Sequence, residues 1–110
     1  MATFTRKKLA FVQLSATPGT AIYNPASSTI GLIHNLILFN NNTASETVLI
    51  NYDDGAMELQ LFELVIAAKD SVILDFKGEG LVVDAASKLT GSTTTGSVVT
   101  CLITGSEETA

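Results

Sequence analysis

Apolar and polar residues alternate along much of this chain with a period of two. Between Glu46 and Tyr52, the side chains of Val48, Ile50 and Tyr52 share one side, and those of Thr47, Leu49 and Asn51 share the other. That spacing predicts a strand, in which successive side chains point to opposite faces of a sheet. The same rhythm groups Val72, Leu74 and Phe76 in residues 71–76, and Val99, Cys101 and Ile103 in residues 97–104. Apolar runs at 9–14, 21–23, 29–39, 57–65 and 81–83 bring the set to about eight short strands. Turn clusters separate them: Thr17-Pro18-Gly19, Asn24-Pro25, Asn40-Asn41-Asn42, Asp53-Asp54-Gly55 and Lys69-Asp70. These residue types tolerate or preset the dihedrals of a turn. The pattern predicts an all-β fold, a single antiparallel β-sandwich of jelly-roll-like or immunoglobulin-like form. Residues 57–69 contain good helix formers. The Asp-Asp-Gly turn before them and the alternation of Leu59, Leu61 and Glu63 with Gln60 and Phe62 predict a strand instead. Residues 90–96 read as a flexible Ser/Thr/Gly loop.

The run at 29–39 breaks the rule. Ile30, Leu32, Leu36 and Leu38 make one apolar face, and Ile33, Ile37 and Phe39 make another. A strand that is apolar on both faces must be covered on both, and a two-layer sandwich covers only one. Either a second copy of the chain covers the face of Ile33, Ile37 and Phe39, or a bulge shifts the alternation midway. The sequence leaves both open. Outside residues 9–104, a basic arm at 1–8 carries Arg6, Lys7 and Lys8, and a polar tail occupies 105–110. The arm reads as solvated, or as an attachment element laid on an acidic partner surface, whose loss should cost the fold little.

Composition narrows the function. The 110 residues make one domain, 46% apolar and only 15% charged, which predicts that part of the surface is hidden against something else. A net charge of −5 argues against nucleic acid as the main partner. No run approaches the ~18 apolar residues of a membrane helix, and the first residues do not read as a signal peptide. The lone Cys101 cannot form an intramolecular disulfide, which suits a reducing compartment such as the cytoplasm.

The chemistry is equally sparse. His34 and Cys101 are the only residues of their types, on separate runs, and a dyad would need adjacent strands in matched register. They read as a structural histidine and a small buried apolar residue. One His and one Cys cannot supply a zinc ligand set. Asp53 and Asp54, even with Glu58, match no calcium loop, and Asp-Asp-Gly is sufficient as a turn. Gly78-Glu79-Gly80 is a lone G-x-G with no phosphate-cradling context. Tyr23 and Tyr52, with the Thr93-Thr94-Thr95 loop, offer little material for a glycan platform. The expectation is a protein that is not an enzyme and has no catalytic residues, metal or cofactor.

Several segments occur together in a suggestive order. Thr17-Pro18-Gly19-Thr20-Ala21-Ile22-Tyr23 and Asn24-Pro25-Ala26 precede the long run from Ile30 to Asn40. A strand at Glu46 to Tyr52 follows, then Leu64-Val65-Ile66-Ala67-Ala68-Lys69-Asp70-Ser71. Next come the stretch from Leu81 to Leu89 and a Val-rich strand that closes with Thr104-Gly105-Ser106-Glu107-Glu108. This order resembles the short β-sandwich virion proteins of tailed bacteriophages, the group of head decoration (cement) proteins and fibre-type modules. The resemblance implies a module that assembles as a homotrimer or other symmetric oligomer on the capsid surface of a virion and is made in the host cytoplasm. There it would bind the major capsid protein and stabilise the head shell. The same group also includes fibre or tail modules that bind a host receptor or glycan. The chain departs from the group at Lys69, where related loops carry Gly, and in the more apolar second face of the long strand.

Overall fold

In the computed structural model, residues 3–77 and 80–109 are described, with the side chains of Thr3, Phe4 and Thr5 left aside. Gly78 and Glu79 of the G-x-G motif lie outside the described residues. Nine strands and no helix occur among the described residues: β1 (Thr3–Gln13), β2 (Ala21–Tyr23), β3 (Thr29–Asn40), β4 (Glu46–Asp53), β5 (Glu58–Ile66), β6 (Ser71–Asp75), β7 (Leu81–Val83), β8 (Lys88–Thr93) and β9 (Val99–Thr109). They form two antiparallel sheets. The first runs β1-β9-β3-β6, with β7 also paired to β3, and the second runs β2-β8-β4-β5.

The pairing is nested. β4 pairs with β5, β3 with β6 and β7, β2 with β8, and β1 with β9. β6 covers Asn35 to Phe39 and β7 covers Gly31 to Ile33 of the same neighbour, so the two behave as one interrupted strand. Counted that way, eight strands form a long two-stranded ribbon rolled on itself, which is the jelly-roll form of the β-sandwich. The β3·β9 and β4·β8 pairings seal the roll into its two sheets.

Between the sheets lies the core, with Ile33, Leu36, Leu38, Val48, Ile50, Leu89, Val99 and Ile103 all withdrawn from solvent. Burying each such side chain contributes about 1.5–3 kcal/mol. Tyr23 packs on Gly31, where a Cβ would strike its ring and hydroxyl, so that position needs glycine for close approach and not for its dihedrals. Lys69 adopts φ +58, the left-handed region that favours glycine, and its Nζ donates to the carbonyl and side-chain oxygens of Asn41.

Four expectations change. A register shift between Ile33 and Asn35 resolves the two-faced run as a bulge. Ile33 therefore turns into the core beside Leu36 and Leu38 and is fully buried, so it cannot form an outer contact. The basic segment at 6–8 is no free arm: Arg6, Lys7 and Lys8 pair with Ser106, Gly105 and Thr104 inside β1·β9. The residues expected as a tail, up to Thr109, are the second half of β9, flanked on both sides by β1 and β3. Residues 90–93, expected in a flexible loop, belong to β8, which lies inside the second sheet between β2 and β4.

Candidate functional site

The bulge at His34 falls where β6 ends and β7 begins, and the His34 carbonyl accepts a hydrogen bond from the Phe76 amide at 2.9 Å. A second register shift lies between Lys8 and Ala10 in β1. Near these irregularities an open cleft of about 490 Å³ is lined by Arg6, Lys7, His34, Thr104 and Gly105. Two of the three basic residues of the expected arm thus meet the sole histidine. Among the described residues that line the cleft there is no Cys or Ser. Lys7 Nζ is held at 2.7 Å by Glu107.

Glu107 also accepts a hydrogen bond from the Tyr23 hydroxyl at 2.6 Å. Burial alone would raise the Glu107 carboxyl, but the bonds from Lys7 and Tyr23 and the Lys7 charge bring it below the ordinary value. Burial, followed by the Glu107 hydrogen bond and charge, raises the Tyr23 phenol. These groups link β1, β2 and β9 across the end of the roll.

Cys101 lies on the inner face of β9, opposite Leu38. Its thiol is fully buried, and desolvation pushes it up to about 12. His34 is four positions from Leu38, roughly 13 Å along the strand. The two strands are adjacent, but their register keeps the pair apart.

The acidic turn is occupied by its own backbone. Asp53 Oδ1 accepts from the Gly55 amide, and Asp54 Oδ1 accepts from the Ala56 and Met57 amides. Glu58 accepts from the Thr90 hydroxyl. No group of three or more His, Cys, Asp or Glu among the described residues is placed to hold a metal.

Glu46, buried at the start of β4, accepts from Asn42 Nδ2 at 2.9 Å and from the Thr95 amide at 2.7 Å. Burial raises its carboxyl, while the bonds from Asn42 and Thr95 lower it, with a net shift downward. The loop at 93–95 is thereby tied to the fold. Tyr23 is buried, and Tyr52 packs partly buried against the core while its hydroxyl donates to the Val82 carbonyl.

The outer face of the first sheet carries exposed apolar residues. Register places Phe11, Leu102, Ile37 and Ile73 in one row across the outer face of the first sheet. Phe11 and Ile73 are more than 60% exposed, and Phe39, in the next row, is 38% exposed. Ile37 and Phe39 therefore share an outer face, with Ile33 behind them in the core. Sequence reading missed Phe11, Leu102 and Ile73 because they come from three other strands. Only the register of the sheet unites them.

The chain matches no protein-family model and no curated protein.

The pairing of 6–8 with β9 has a direct consequence. A chain starting at Leu9 loses the first half of β1 and the Lys7–Glu107 ion pair. The ion pair contributes little, because Lys7 is half exposed. The lost backbone pairing costs about 1 kcal/mol per hydrogen bond and leaves one edge of β9 open. The melting temperature should fall by about 10 °C or more. An unchanged melting temperature would show that this half of β1 contributes nothing to the fold.

Proposed function

We propose that this protein is a non-enzymatic structural protein that associates with itself and is built to cover a surface, with decoration of a phage head as its role. The observation that carries the reading is the apolar row of Phe11, Leu102, Ile37 and Ile73 on the outer face of the first sheet. Isolated exposed apolar residues are ordinary, but a contiguous band across four strands marks a contact surface. Two further features support it. Jelly rolls recur in capsid architecture, although a fold alone does not assign a function. Several groups that could have done chemistry are otherwise engaged: Cys101 is buried, Asp53 and Asp54 hold a turn, and Glu46 and Glu107 hold loops and strands.

The test is addition of the purified protein to undecorated heads, followed by cryo-electron microscopy. The expected result is ordered density for the chain at repeated positions between subunits of the major capsid protein. Density confined to the tail, or none on the head, overturns the decoration role.

A further inference from the structure

We infer that the outer face of the first sheet is a self-complementary surface that takes a second copy of this chain, face to face, about a two-fold axis parallel to the strands. The inference rests on the self-association proposed above and specifies its geometry.

Beside the apolar row lies a polar one. Lys8 on β1 pairs with Thr104 on β9, Thr104 with Asn35 on β3, and Asn35 with Asp75 on β6. The row begins with a cation at one edge of the sheet and ends with an anion at the other. Lys8 and Asp75 are both exposed. Lys8 lies 5.7 Å from the centre of the Phe11 ring, and Asp75 lies two residues beyond Ile73 on the same strand, so both charges belong to the outer face.

A two-fold axis along the strands, passing between β9 and β3, reverses the strand order while keeping each row at its own level. Lys8 of one copy then meets Asp75 of the other, and the same pair forms again on the opposite side. Phe11 meets Ile73, and Leu102 meets Ile37, at the centre. An in-plane axis perpendicular to the strands would lay β1 on β1 and could not join the two charges. Charge therefore selects one arrangement of the two, as complementary charges fix register at interfaces.

The size is adequate. Four strands at ~4.8 Å spacing and four outer rows along them make a face of about 500 Å² per copy. Two such faces hide about 1,000 Å² in all, the lower bound for a specific interface. Two sheets stacked this way stand ~10 Å apart, the spacing already found inside sandwiches.

Sedimentation velocity over a concentration series tests the geometry, with melting curves confirming that each variant folds. The full chain should form dimers at micromolar concentration. Lys8→Glu and Asp75→Lys should each weaken the dimer about tenfold or more, because each places like charges together twice. The double variant Lys8→Glu with Asp75→Lys should return to within about threefold of the parent, since the pair is restored with reversed sign. Ile73→Glu, at an exposed position, should give a folded monomer. A dimer indifferent to all four variants overturns this face but leaves self-association standing. A trimer overturns the two-fold arrangement alone. A monomer at every concentration overturns both readings.

Discussion

Gly105→Ala should be the most damaging glycine-to-alanine change among the described residues. A Cβ at that position would strike the carbonyl oxygen of Leu32, inside the β3·β9 pairing. The obstacle is backbone in the middle of a sheet, so no rotamer change can relieve it. Either β9 separates from β3 or the register shifts, and both break hydrogen bonds along the centre of the first sheet. The expected loss is about 4 kcal/mol or more, near the whole stability of a small domain. Gly96→Ala is the control. Its Cβ would meet Ala16 alone, the amide nitrogen at 3.4 Å and Cβ at 3.8 Å, ordinary contacts, and its cost should stay within about 1 kcal/mol. Urea denaturation of the two variants compares them directly. Similar midpoints would mean that the close approach at Gly105 does not exist.

Asn40→Leu should come second. Asn40 closes β3 in the first sheet and is fully buried. Its Nδ2 lies 2.9 Å from the Ala44 carbonyl and 3.0 Å from the Ile66 carbonyl, and its Oδ1 accepts from the Asn42 amide. Ile66 ends β5, in the other sheet. One side chain thus fastens the two layers together where their strands end. Leucine has nearly the same bulk but no donor or acceptor. Each buried group left without a partner costs about 1–3 kcal/mol, so the expected loss is about 3–5 kcal/mol. A loss under about 1 kcal/mol in thermal or urea unfolding would show that water replaces the amide freely. In the sequence Asn40 reads only as the first of three turn asparagines.

That contrast shows how far pattern alone reaches. Strands with clean alternation, such as Glu46–Asp53 and Ser71–Asp75, lie within a residue of where the sequence puts them. The alternation is legible because each of those strands has one face in the core. β8 was hidden for the opposite reason. Thr90, Ser92 and Thr93 are buried although polar, so no apolar rhythm announces them. Gly91 lies against Ile22 and Leu14, where a side chain would crowd them. The ends of the chain failed differently. Arg6-Lys7-Lys8 and Gly105-Ser106-Glu107 each look like solvated termini, and they become strand by pairing with one another across about a hundred positions. Local propensity carries no record of so distant a partner. The outer face was half legible: Ile37 and Phe39 could be singled out, but Ile33 could not be separated from them without locating the bulge.

The nested roll also sets an order of events during synthesis. β9 lies between β1 and β3 and is made last of the nine strands. Until it emerges, β1 has no neighbour in its sheet, and β3 can recruit only β6 and β7. The first strand must therefore wait for the last. Contacts so distant in sequence slow folding toward the millisecond-to-second range of β-rich domains. During that interval the open edges of β1 and β3 are competent to pair with the same strands of another nascent chain. Crowded polysomes, more than the finished protein, are where this architecture is exposed to misassembly.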